Sequence, residues 1–263
     1  MIRLGLCSGA CITRDINGVI AAAAAARLDA IEWSADVHLG AGNHQAAEET
    51  MIATLTAGLT TVSYATLYQA GGIDEGFVRF DALLATAAVL QTPILRIYAA
   101  IPGKKDFGTD RDEELVVQLR HLGDRAAQKG ITVCLSMGRG TGLDRYDRAL
   151  GLVSAVGHEF IRLAWEDLPL IGKEEATTAL ERAGRFAGML IARCAGRDGA
   201  AHPVAGDEAA WRTRLGAFKS AEPDPGMGSF VLLGAAREEG KPGEESLAAD
   251  ADAMRAIIGD IEP

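Results

Sequence analysis

A chain of 263 residues, 48% hydrophobic and 24% charged, has the balance of a globular protein with a large core, which excludes a disordered or low-complexity class. Its formal net charge of -10, with no basic patch to offset it, argues against nucleic acid as a partner. The alanine run at residues 21–26, between Ile20 and Arg27, is far short of the roughly 20 residues of a membrane span, so no membrane partner is expected.

The chain starts on the strand-like Met1-Ile2-Arg3-Leu4-Gly5-Leu6 with no basic region ahead of an apolar stretch, so no signal peptide is read and a cytoplasmic location is expected. That first strand, near 2–7, is followed by a helical stretch at 16–28. A strand at 30–33 leads to a helix at 44–57, one at 60–64 to a helix at 74–90, and one at 94–98 to a helix at 110–129. The unit then repeats: strand 131–136 and helix 145–156, strand 160–165 and helix 173–186, strand 189–193 and helix 207–219, strand 229–233 and helix 246–258. Each helical stretch carries apolar residues at helical spacing. Alternating βα units predict an α/β protein with a parallel sheet, and eight of them predict a single (β/α)8 TIM barrel domain over 1–263.

Local chemistry supports the boundaries. Gly58 and Gly130 stand just after helices, where a left-handed cap is wanted, and Pro93 stops the third helix. The segments 100–109, 194–206 and 234–245, which follow strands, are long and rich in Gly, Pro and charge, as on the catalytic face of a barrel. Residues 221–228 read as a turn feeding the last strand rather than as a linker. Cys7, Cys11, Cys134 and Cys194 form no CxxC pair, and reduced thiols are expected.

Leu28-Asp29-Ala30-Ile31-Glu32-Trp33-Ser34-Ala35-Asp36-Val37-His38 resembles the second βα unit of the xylose isomerase-like barrels, a family of sugar and sugar-phosphate isomerases and epimerases. Ala57-Gly58-Leu59-Thr60-Thr61-Val62-Ser63-Tyr64 resembles that family's third strand and Pro93-Ile94-Leu95-Arg96-Ile97-Tyr98 its fourth. The resemblance implies a small-molecule sugar or sugar phosphate as ligand, a role in carbohydrate metabolism, and a homodimer or tetramer.

It also implies a divalent metal held by carboxylates on strands five, six and eight and a His on strand seven. The metal chelates sugar oxygens and stabilises an enediolate while carboxylates move the proton. Position by position, this chain departs from that set. Val133-Cys134-Leu135-Ser136-Met137-Gly138 puts Ser136 where the family has Glu; Leu163-Ala164-Trp165-Glu166-Asp167 keeps acids at the end of strand six. Residues 188–193 hold no His, and the eighth strand ends in Gly234. The expectation is a degenerate metal site, with no metal or cofactor and with metal-independent proton transfer by Glu166. The competing class is a barrel that binds a carbohydrate-like ligand or a protein partner without turnover. The related metal-dependent abasic-site endonucleases are disfavoured by the acidic charge and the absent His/carboxylate cluster.

Other candidates carry two readings each. His38, just past strand two, suits a sugar hydroxyl or acid/base work, or is a structural loop residue. Glu32 either pairs with Arg96 inside the barrel or contacts substrate. Tyr64, Tyr68, Tyr98 and Trp165 stand near strand ends, where they offer aromatic faces to a sugar or pack the core. Arg193 and Arg197, flanking Gly196, and Arg139 between Gly138 and Gly140, suit a phosphate or lie exposed on loops.

Overall fold

The computed structural model describes residues 1–72, 76–100, 110–138, 141–168, 172–192, 204, 206–220, 229–234 and 244–262. Eight strands alternate with eight helices: β1 (Ile2–Cys7), α1 (Ile16–Ala25), β2 (Ala30–Ser34), α2 (His44–Thr56), β3 (Thr60–Ala70), α3 (Phe77–Val89), β4 (Ile94–Ala99) and α4 (Asp110–Ala127). The second half supplies β5 (Thr132–Ser136), α5 (Tyr146–Val156), β6 (Ile161–Glu166), α6 (Lys173–Ala183), β7 (Ala187–Ala192), α7 (Glu208–Ser220), β8 (Ser229–Leu233) and α8 (Glu244–Ile261). The strands form one closed parallel barrel in sequence order, and β1 seals it against β8 from Ile2↔Ser229 to Leu6↔Leu233. This is the (β/α)8 barrel the alternation predicts. Among the described residues no helix is long and apolar enough to cross a membrane.

Parallel strands in such a barrel are buried on both faces, which is why they read as near-continuous apolar runs. Their two faces join different cores. Ala30, Val62, Ile94, Cys134, Ala164, Met189, Ile191, Phe230 and Leu232 form one cluster, which fills the inside of the barrel. The alternate residues, Ile31, Trp33, Tyr64, Leu95, Ile97, Leu135 and Leu163 among them, join the larger core that the helices cover.

Helix ends follow local chemistry. Asp15 caps α1 by accepting from the Gly18 N–H at 2.8 Å, and Asn43 caps α2 by accepting from the Ala46 N–H at 3.2 Å. Gly58 (φ 76°) and Gly130 (φ 65°) take the left-handed conformation expected of them. Two non-glycine residues, Arg27 (φ 55°) and Gln91 (φ 54°), do the same after α1 and α3, so these helices end before 28 and 90.

Further boundaries differ from the sequence reading. β3 continues past 64 to Ala70, because the Leu67 N–H finds the Asp36 carboxylate (2.9 Å), Thr66 Oγ1 donates to the Arg96 carbonyl (3.2 Å), and Ala70 pairs with Ala99. α6 stops at Ala183; Gly184 then opens a short 3-10 turn, and β7 starts at Ala187 rather than 189. The expected start of the third helix at 74 lies outside the described residues.

Candidate active site at the carboxyl end of the barrel

Two-residue alternation carries the inner face of each strand upward from the apolar cluster. On β2 it runs Ala30, Glu32, Ser34; on β4 Ile94, Arg96, Tyr98; on β5 Cys134, Ser136; on β6 Ala164, Glu166. One pleat above an apolar floor, the barrel interior therefore becomes charged and hydroxylated.

Glu32 is fully buried and Arg96 is 6% exposed. Arg96 Nε and Nη2 donate to the two Glu32 carboxylate oxygens at 2.8 and 2.7 Å, a bidentate pair. Ser63 Oγ donates to Glu32 Oε2 at 2.5 Å, and Arg96 Nη1 donates to Ser136 Oγ at 3.0 Å. Burial by itself raises the Glu32 pKa, but the Arg96 charge and hydrogen bonds from Arg96, Cys7 and Ser63 outweigh it and hold the carboxyl below its usual range. For Arg96, burial disfavours the charged form and the Glu32 carboxylate more than restores it, so both groups stay ionised. Removing such ions from water costs several kcal/mol each, which only this near-complete hydrogen bonding offsets.

Of the two readings for Glu32, the internal ion pair is what the structure contains. Ser63 and Cys7 complete the ring around Glu32, and neither was singled out from sequence. A serine inside the apolar run of strand three was the available signal. Cys134, directly below Ser136 on the inner face of β5, has its thiol pushed up to about 12 by burial, with Arg162 and Arg96 offsetting only part.

At the mouth, Tyr98 and Ser136 are register partners on β4 and β5, and Ser136 is 2% exposed. Glu166 ends β6, two residues above Ala164, the partner of Ser136. The segment behind it is pinned. Asp167 forms an ion pair with the buried Arg214 of α7, whose guanidinium lies 4.7 Å from the Trp211 ring centroid. The Leu168 N–H donates to Tyr146 Oη at 3.0 Å. Of the two acids, then, Asp167 turns toward the helix layer and Glu166 takes the inner face.

The structure does not gather the other aromatic candidates at the mouth. Tyr64 donates to the Leu39 carbonyl at 2.6 Å, Tyr68 lies 5.6 Å from Phe80 in a tilted contact, and Trp165 stacks on Tyr146 at 4.9 Å. All three belong to the core beneath the helices. The reason is phase: each neighbours an inward residue and so faces outward. His38 places Nε2 3.0 Å from the Arg14 carbonyl and its ring edge-on to Trp33, and no contact ties it to Arg96, Ser136 or Glu166 among the described residues. Arg139, Arg193 and Arg197 lie outside the described residues.

Among the described residues, the implied ligand positions offer few donors to a divalent metal. Ser136 is a neutral hydroxyl already accepting from a cation, Gly234 has no side chain, and only Glu166 offers a carboxylate. Among the described residues no three His, Cys, Asp or Glu side chains converge as a metal-holding group.

No protein-family model matches the chain, and no curated protein matches it in sequence. Solved structures do match. D-psicose 3-epimerase from Clostridium cellulolyticum H10, solved with D-tagatose, aligns at 16% identity and a TM-score of 0.73 over 97% of this chain and 99% of that one. The probable 3-DHS dehydratase AsbF of Bacillus anthracis aligns at 14% and 0.73 over 96% and 98%. The chain has the fold of the xylose isomerase-like barrels. A third such neighbour, the IolI protein solved with a zinc atom, aligns at 12% and 0.73 over 98% of both chains. At these identities the likeness establishes the architecture, and the chemistry has to come from this chain's own side chains.

Proposed function

We propose that the protein isomerises or epimerises a small sugar or sugar phosphate without a metal, with Glu166 as the group that moves the proton. The observation that carries this is the position of Glu166 on the inner face at the end of β6, one strand from Ser136 on β5 and two from Tyr98 on β4, with Asp167 and Leu168 behind it held in place. Carboxyl ends of barrel strands are where such enzymes work. That the structural neighbours include epimerases of D-psicose and L-ribulose supports the substrate class.

In the isomerisation, the Glu166 carboxylate takes a proton from the carbon beside a carbonyl. The C–H pair becomes a C=C bond, and the carbonyl π pair moves onto oxygen. Return of the proton from the Glu166 acid to the former carbonyl carbon, with a hydroxyl proton passing between the two oxygens, gives the isomer and needs no oxidant. For a phosphorylated substrate the sequence offers Arg139, Arg193 and Arg197, which lie outside the described residues.

The test is a screen of aldoses, ketoses and their phosphates for isomerisation or epimerisation in the presence of a chelator. Turnover lost in Glu166→Gln is the expected result; turnover unaffected by that change would remove the mechanism. A second reading, a barrel that binds such ligands without turnover, is favoured by the internal use of Glu32 and Ser136 by Arg96. A ligand-induced rise in Tm with no product formed supports that reading instead.

A further inference from the structure

Arg96 commits two of its three nitrogens to Glu32 and its remaining arm, Nη1, to Ser136 Oγ. A serine hydroxyl has one proton and two lone pairs, so with Arg96 donating into one lone pair its O–H is still an unused donor. Among the described residues, the only hydrogen-bond partner of the Ser136 side chain is Arg96. Its O–H is thus a buried donor without an acceptor, on the last residue of β5 and on the inner face. Buried donors are rarely left so.

The charges around it are ordered. Glu32 and Ser63 lie on one side of Arg96 and Ser136 on the other, so the positive end of the pair faces β5 and the mouth. Donation from a guanidinium into a hydroxyl also strengthens that hydroxyl's own donation.

We propose that Ser136, polarised by Arg96, is the donor that holds the carbonyl oxygen of the substrate as it becomes an enediolate oxygen, so that this protein's own guanidinium supplies the polarisation. This rests on the proton-transfer reading above and adds the residue pair that stabilises the oxyanion. It also sets ligand class: a carbonyl or hydroxamate oxygen suits the unused Ser136 O–H, and the cation behind Ser136 favours a ligand oxygen that gains negative charge. Ser136 is the catalytic residue of the pair, and Arg96 positions and polarises it.

The experiment compares binding of a four-carbon sugar hydroxamate, an enediolate mimic, with binding of the polyol of equal length, by calorimetry on the full chain. We expect the wild type to prefer the hydroxamate by about tenfold or more, Ser136→Ala to lose that preference, and Ser136→Thr to retain it. Ser136→Ala leaves Arg96 Nη1 without its acceptor and should unfold at lower urea than the wild type, so binding is compared where the unfolding curve and circular dichroism show each variant fully folded, which separates the result from a folding defect. On any sugar found to turn over, Ser136→Ala should lower kcat by about 100-fold with KM little changed. If Ser136→Ala keeps the preference, the oxyanion assignment is overturned while the role of Glu166 stands. If the wild type binds neither probe and turns over no sugar, the functional reading falls and this inference with it.

Discussion

Two layers of the barrel interior, one pleat apart on the same strands, are built on opposite principles. The floor of Ala30, Ile94, Cys134, Ala164 and Phe230 is apolar and depends on shape, whereas the layer above it centres on Glu32 and Arg96 and depends on hydrogen bonding. An apolar floor is stable wherever volumes match. A buried ion pair is stable only while both partners stay, and apolar residues of similar size often replace such a pair at no loss. The contrast predicts that substitutions in the floor act through volume and those in the layer above it through lost partners.

The largest effect should come from cutting the pair on one side. Arg96→Met or Glu32→Leu alone should cost about 3–5 kcal/mol in urea unfolding, since each strands a buried charge, whereas the double replacement should return most of that loss. A double variant as unstable as the sum of the singles would erase the distinction between the layers.

A smaller effect is expected with pH. Glu32 is held below its usual range, so the stability it contributes is complete above the ordinary carboxylate pKa and is lost as pH falls through its depressed folded value. Stability measured from pH 7 downward should therefore fall less steeply in the Glu32→Leu/Arg96→Met double variant than in the wild type. Identical acid profiles would show that other carboxylates govern the decline.

The smallest change belongs to the helix-side layer. Tyr64→Phe removes the hydroxyl that donates to the Leu39 carbonyl, and a loss of about 1 kcal/mol with unchanged ligand binding is expected. A change in ligand affinity would return Tyr64 to the site.

Much of this was legible in the sequence. The eight-fold alternation of short apolar runs and amphipathic stretches was enough for the barrel, and Glu32 and Arg96 stood out as charges inside Ile-Glu-Trp and Leu-Arg-Ile runs. Which face an aromatic takes was harder to see. Nearness to a strand end grouped Tyr64, Tyr68 and Trp165 with Tyr98, but phase separates them, and phase is disturbed by the register shifts at Ile31/Glu32, Ala65/Gln69 and Leu163/Ala164. Such irregularities leave no mark in composition. The extension of β3 to Ala70 was equally hidden, because it depends on Asp36 reaching the Leu67 N–H from another strand's loop.

Closure of the ring has a kinetic consequence. Seven of the eight ladders join neighbours in the chain, but the one between β1 and β8 brings Ile2 to Ser229 and must wait for almost everything between them. The entropy of closing so long a loop is recovered only when the last seam forms, which places the β1–β8 contact late in folding.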